Sequence, residues 1–277
     1  MRRRTFLAGI AAAATAGCSG AGPAPGVLAP PAQPGVERLE PRRSAARGRD
    51  VDLWTAVPRG WGTGRGLPVC LVLHGASKAP RDFPALGLAG FLTDSAQRGA
   101  PPFVLAGASG DRLGWRPAGG GDDPQAMLRR DLLEWCDDRD FDTGRVAALG
   151  WSMGGAGALL LAETFPSFLR GVAALSPAVS PGDDVFAGAG RLVGTPVGLW
   201  CGTGDDLIDD VRALETALPA PKAAGSYGPG GHDFGFYATV LPAVLDFVGA
   251  ALGPSPGVPG PSGAPSAAPS GAPPTGS

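Results

Sequence analysis

Ser152 lies in Gly150-Trp151-Ser152-Met153-Gly154-Gly155, with glycine two places to either side. A serine hydroxyl attacks a carbonyl carbon only when a base takes its proton and a third group orients that base. The spacing suits a serine on a sharp strand-to-helix turn, a nucleophile elbow. Such a turn strains the backbone, and a side chain at Gly150 or Gly154 would collide with the adjoining strand or helix. The hydroxyl would then stand at the positive end of the following helix. In a chain with 46 glycines, a glycine-rich turn without chemistry would look similar, so the flanking segments must carry the assignment.

The partners follow from chain order. Where an elbow serine works with an acid and a histidine, they come after it in that order. The chain has two histidines, and only His232, in Gly230-Gly231-His232-Asp233-Phe234, follows Ser152. His74 ends an apolar run upstream and is read as a structural histidine hydrogen-bonded in place. The acid should lie just beyond the strand before the penultimate helix, in Gly202-Thr203-Gly204-Asp205-Asp206. Asp205 is preferred, because Asp206 is better placed to cap the next helix; Asp206 stands as the alternative. Asp183 and Asp184 read as solvated, and Asp209 and Asp210 as helix-surface groups. The developing oxyanion needs donors fixed in advance. One would be the Met153 N–H, and the other, by analogy with this architecture, the Ala76 N–H. Four cysteines without a C-x-x-C pair offer no zinc-like cluster, so neither a metal nor another cofactor is expected.

The elements needed to position these groups can be read from the apolar pattern. Residues 145–149 form a short apolar run before the serine, and 154–162 a small-residue helix after it. Residues 36–39 and 50–57 read as a first strand pair. Residues 67–73 (LPVCLVL) are continuously apolar, as in a strand buried on both faces. A helix is expected over 83–97 and a strand over 102–106. Asp123-Pro124 is a capped helix start, and Met127, Leu128, Leu132, Trp135 and Cys136 then fall on one helical face. Strands at 171–175 and 196–201 alternate with helices at 206–218 and 234–248. The alternation predicts an α/β fold with a mostly parallel sheet covered on both faces. Residues 177–195 are short and polar where many lipases carry an apolar lid, so no large lid is expected.

Both ends differ from this body. Residues 1–18 read as an export signal: Arg2-Arg3-Arg4, eleven apolar residues, then small ones. The apolar stretch is too short to span a bilayer, which takes about 20 residues. Arg3-Arg4-Thr5-Phe6-Leu7 is similar to a twin-arginine signal. Thr15-Ala16-Gly17-Cys18 is similar to a lipobox, which would make Cys18 a lipid anchor on the outer face of the cytoplasmic membrane. Cleavage after Ala16 to a soluble secreted product is the alternative. Residues 19–35 form a Pro/Gly-rich tether, 36–252 the folded domain and 253–277 a tail read as disordered. A net charge of −2 gives no basic footprint for nucleic acid. Once Cys18 is lipidated, Cys70, Cys136 and Cys201 remain, with Cys70 and Cys201 expected as buried free thiols. Nothing in the sequence specifies an oligomeric state.

Leu73-His74-Gly75, the Ser152 stretch, Gly202-Thr203-Gly204-Asp205 and Gly230-Gly231-His232-Asp233 stand in an order and spacing that resembles a bacterial esterase family of α/β-hydrolases. That group contains esterase D, the enterochelin esterases and the antigen 85 mycolyltransferases. The resemblance covers roughly residues 36–252. It implies the α/β-hydrolase fold, a Ser152–His232–Asp205 triad and an acyl-enzyme formed from a small-molecule or envelope ester. Trp115, Trp151 and Phe234 would then lie near the substrate. The family also includes acyltransferases, so acyl transfer to an envelope sugar or alcohol is the first alternative. A non-catalytic surface binding protein on a hydrolase fold is the second.

Overall fold

The computed structural model describes residues 32–254. Residues 1–31 and 255–277 lie outside the described residues, and with them the expected export signal, Cys18 and nearly all of the tether and tail.

Continuous apolar runs arise where a strand is covered on both sides, and the central strands satisfy that condition. β3 (Pro68–Leu73), β4 (Val104–Ala108), β6 (Val172–Leu175) and β7 (Val197–Gly202) are buried at every position. Side chains alternate between two cores: in β3, Val69, Leu71 and Leu73 join one, Cys70 and Val72 the other. β5 (Asp142–Trp151) divides in the same way, Val146 and Ala148 against Ala147 and Leu149. The first core is closed by α2 (Pro124–Ala126), α3 (Leu132–Asp137), α4 (Met153–Thr164), α5 (Asp184–Gly188) and α6 (Ile208–Ala217). The second is closed by α1 (Leu88–Gln97) and α7 (Phe234–Leu252).

One sheet of eight strands results among the described residues, in the order β1-β2-β4-β3-β5-β6-β7-β8. β1 (Val36–Ser44) and β2 (Arg49–Val57) pair antiparallel, as do β2 and β4. The other pairings, out to the two-residue β8 (Tyr227–Gly228), are parallel. The expected mostly parallel α/β sheet is therefore present, with elements shifted or extended by a few residues at their ends.

The Asp123-Pro124 start caps as read: the Asp123 side chain accepts from the Ala126 N–H at 2.9 Å. Met127, Leu128, Leu132, Trp135 and Cys136 are all buried. Between α2 and α3, however, the chain widens into a π-helical turn over Met127–Asp131. The buried Asp131 carboxylate there accepts from Ser44 Oγ at 2.5 Å and the Ala46 N–H at 3.0 Å, tying the helix to the first hairpin.

The helix expected over 83–97 is a correction. A 3-10 turn at Pro80–Asp82 precedes a run of hydrogen-bonded turns holding the fully buried Phe83, and α1 begins only at Leu88. Pro84 removes an N–H, and Gly87 takes φ 72°, outside the helical region. Asp183 is a second correction, since it caps α5 by accepting from the Val185 and Phe186 N–H groups at 2.9 and 3.1 Å. Asp184 pairs with Arg116 at 3.2 Å. α7 is long and apolar enough to cross a membrane by length and composition. Its Phe236, Leu241, Val244, Leu245 and Val248 are buried in the second core.

Candidate active site

At the end of β5 the chain turns into α4 within one residue. Ser152 takes φ 55° and ψ −124°, a conformation that costs a non-glycine residue about 1–3 kcal/mol and is kept only where the surroundings enforce it. The enforcing contacts are visible. The Ser152 N–H donates to Leu175 O at 2.9 Å, and its carbonyl accepts from the Ala178 and Ala156 N–H groups at 3.0 and 3.1 Å. A Cβ on Gly150 would stand 2.2 Å from Gly154 O, and one on Gly154 would stand 1.9 Å from Leu73 O. Both glycines are therefore required by close backbone approach.

The hydroxyl meets a relay. Ser152 Oγ is 2.8 Å from His232 Nε2, and His232 Nδ1 is 2.9 Å from Asp205 Oδ2. The Asp205 side chain is fully buried, whereas that of His232 is 38% exposed. Burial alone would raise the Asp205 carboxyl. The neighbouring Ser176 hydroxyl, the Leu207 N–H bond and the His232 bond outweigh it and hold the group below its ordinary value. The carboxylate so held accepts a hydrogen bond from Nδ1–H, which leaves Nε2 free to accept from Ser152. The two loops are clamped by the Thr203 and Gly204 N–H groups, which donate to Gly228 O and Gly230 O, both at 2.8 Å. Gly202 permits that approach, since a Cβ there would lie 2.3 Å from Gly230 O. The short pairing of β8 with β7 thus carries the histidine loop to the acid.

Residues 44–218 match the family model described as "Putative esterase", well over half of the chain. The chain belongs to this esterase family. No curated protein matches it in sequence. Among solved structures, it is similar to a ferulic acid esterase at 18% identity and a TM-score of 0.69, covering 79% of this chain and 98% of that one. An S-formylglutathione hydrolase from Agrobacterium tumefaciens aligns at 15% identity and a TM-score of 0.66, over 79% and 96%. The fluorophosphonate-binding serine hydrolase F of Staphylococcus aureus aligns at 15% and 0.64, over 78% and 99%. The fold is that of the α/β-hydrolases, and the protein is a carboxylic-ester hydrolase. The family match ends before His232, so the relay to that residue rests on the geometry alone.

The esterase opens around Ser152 into a cleft of about 230 Å³, whose lining includes Ala76, Trp151, Phe234 and Tyr237. Gly75 packs so closely that a Cβ there would lie 3.3 Å from the Ser152 Cβ, which brings the Ala76 backbone alongside the serine. Met153 opens α4 directly after it. His74 is buried; its Nε2 accepts from the Gly110 N–H at 3.0 Å, so Nδ1 carries the proton and donates to Gly75 O at 2.9 Å. Burial pushes its pKa down, only partly offset by the Gly75 bond. That is the structural histidine expected.

Two site expectations are revised. Trp115 does not line the esterase's cleft: it is fully buried, with its indole N–H donating to His74 O at 3.2 Å. A Cβ on Gly157 would meet its ring at 2.5 Å, so small residues of α4 made room for it. Asp206 does not cap α6. It is exposed, and the Leu207 N–H donates instead to Asp205 Oδ1 at 2.9 Å. Asp205 therefore holds both the histidine and the helix start. Of the other acids, Asp209 pairs with Arg212 at the surface and Asp210 accepts from Ser180.

Ser176 was not anticipated. It is fully buried after β6 with φ 39°, beside the acid, and a serine-proline at a strand end carries no signal of that role. Cys70, Cys136 and Cys201 are buried free thiols, and burial pushes the Cys201 thiol up to about 11. Among the described residues no group of His, Cys, Asp and Glu is arranged to hold a metal ion.

Proposed function

We propose that the protein is an exported serine esterase in which Ser152 attacks the ester carbonyl and forms an acyl-enzyme. His232 takes the serine proton at Nε2, passes it to the leaving alcohol, and then activates the water that releases the acid. Asp205 fixes the imidazole tautomer and stabilises the imidazolium. The Met153 and Ala76 N–H groups receive the negative oxygen, at the positive end of α4. The observation that carries this reading is the continuous chain Ser152 Oγ–His232 Nε2, 2.8 Å, and His232 Nδ1–Asp205 Oδ2, 2.9 Å. Hydrolysis is favoured over acyl transfer by the open setting of the base: His232 is 38% exposed, so water reaches it directly.

Export and membrane attachment through Cys18 belong to the same proposal and rest on the sequence of residues 1–18. The catalytic part is tested by Ser152→Ala, assayed on p-nitrophenyl esters of graded chain length. The expected loss in kcat is about 10⁴- to 10⁶-fold with an unchanged melting temperature. Retention of most of the activity would end the serine mechanism.

A further inference from the structure

The cleft around Ser152 carries charges that the hydrolytic steps do not use. Lys78 and Arg112 both line it, both are exposed, and neither makes an ion pair among the described residues. Other surface arginines are of both kinds. Arg81, Arg98 and Arg116 are paired with carboxylates, whereas among the described residues Arg38, Arg59, Arg130, Arg170 and Arg191 are not. What distinguishes Lys78 and Arg112 is their place beside Ser152.

The backbone holds both cations at the site. The Lys78 N–H donates to Gly75 O at 3.1 Å, closing a turn whose ends lie within about 7 Å of each other. Gly75 is the residue that abuts Trp151 and Ser152, so the lysine stem starts about one turn's width from the nucleophile. Arg112 follows two pinned residues. The Gly110 N–H donates to His74 Nε2 at 3.0 Å, and Asp111 is bound by Arg47 at 2.9 Å, by Ser109 Oγ at 3.1 Å and by Arg49. Asp111 is thus already paired with other arginines, and Arg112 faces the cleft without it. The one carboxylate in the lining is Asp233, which caps α7 by accepting from the Phe236 N–H at 3.1 Å. Two cations thus face one carboxylate in the lining itself, the Asp205 carboxylate lying fully buried behind His232.

Resting on the esterase reading above, we infer that the esters hydrolysed here carry a carboxylate of their own, bound by Lys78 and Arg112 beyond the reacting carbonyl. A guanidinium fork and a flexible ammonium from two separate loops suit a planar monoanion. A positive cleft mouth also raises the capture rate of anionic substrates. The cleft volume of about 230 Å³ has room for a small acid.

The test compares p-nitrophenyl hemiadipate with the uncharged p-nitrophenyl heptanoate, each corrected for spontaneous hydrolysis. At low ionic strength the full-length enzyme should have the higher kcat/KM for the hemiadipate. Two partly exposed ion pairs of up to about 1 kcal/mol each predict that Lys78→Ala with Arg112→Ala lowers the charged-to-neutral ratio by about 2- to 30-fold. Raising the salt to 0.5 M should erode the ratio in the unsubstituted enzyme, and Arg112→Glu should lower it further. A ratio that ignores both salt and substitution, or that favours the neutral ester from the start, overturns the inference. Titration of the two esters into the Ser152→Ala protein reads the same preference without turnover. Tighter hemiadipate binding there, with neither ester turned over by the unsubstituted enzyme, would uphold the anion site while refuting the serine mechanism. Equal binding would refute the site alone.

Discussion

Replacing Asp205 by asparagine exchanges one oxygen for an NH₂ group and leaves the shape almost unchanged. Two bonds compete for the single oxygen that remains, one from the Leu207 N–H at 2.9 Å and one from His232 Nδ1 at 2.9 Å. If the oxygen stays with Leu207, the amide donates toward Nδ1. The imidazole then adopts the other tautomer and presents a proton at Nε2, where it must accept one from Ser152. The side chain is fully buried, so no solvent can restore the lost acceptor. In a well-studied protease triad the same substitution lowers kcat by about 10⁴, a barrier increase of about 5.4 kcal/mol. A fall of about 10³- to 10⁴-fold is expected here. Stability should change by only about 1–2 kcal/mol, since no cavity forms and one bond is kept. Asp206→Asn removes an exposed carboxylate and should alter kcat by less than about twofold. Steady-state p-nitrophenyl ester kinetics on both variants, with thermal scans, check this. Asp206→Asn proving the more damaging of the two would refute the assignment of the acid.

Glu163 predicts a pH-dependent stability. Burial raises its pKa from 4.5 to about 8, and neither carboxylate oxygen has a hydrogen-bond partner. Between those two values the unfolded chain gives up a proton that the folded chain keeps, so stability is full below about pH 4.5 and is lost as pH rises through about 8. Glu163→Gln should flatten that part of the Tm–pH curve relative to the unsubstituted protein, and parallel curves for the two would show that Glu163 does not titrate in this range. For export, Cys18→Ser should move the protein from the membrane fraction to the medium or block its maturation, since an anchor of two or three acyl chains is needed for firm attachment. Arg3→Lys with Arg4→Lys should leave precursor in the cytoplasm. Mature wild-type protein beginning at Gly17 in the soluble fraction would contradict the lipid anchor.

Much of the site was legible because its demands are local or scarce. Gly150 is forced by the approach of Gly154 O four residues on. The same spacing marks Gly154, although its own close contact, Leu73 O, lies on another strand. His232 was the only histidine after Ser152. The continuous apolar runs at β3 and β7 announced burial on both faces. What could not be read depended on contacts distant in sequence. β8 is two residues long and exists through its pairing with Cys201 and Gly202, so it has no periodicity to detect. Asp206 looked the better cap because local position favours it, yet the tertiary fold turns Asp205 to serve both partners. Trp115 followed a reasonable expectation for an aromatic near a cleft, but Gly157 of α4 and Gly110 leave a core socket for it. The break before α1 comes from Pro84 and Gly87, local signals that prevail over the apolar pattern around them. The cations at Lys78 and Arg112 are unremarkable in sequence and gain meaning only when two separate loops meet at Ser152.

The central claim, that Ser152 is the activated nucleophile, is tested most directly by fluorophosphonate labelling of the folded protein followed by peptide mapping. One adduct is expected, on the peptide containing Ser152, strongly reduced in His232→Ala and absent in Ser152→Ala. An adduct on another serine, or none on protein that still hydrolyses esters, would contradict it.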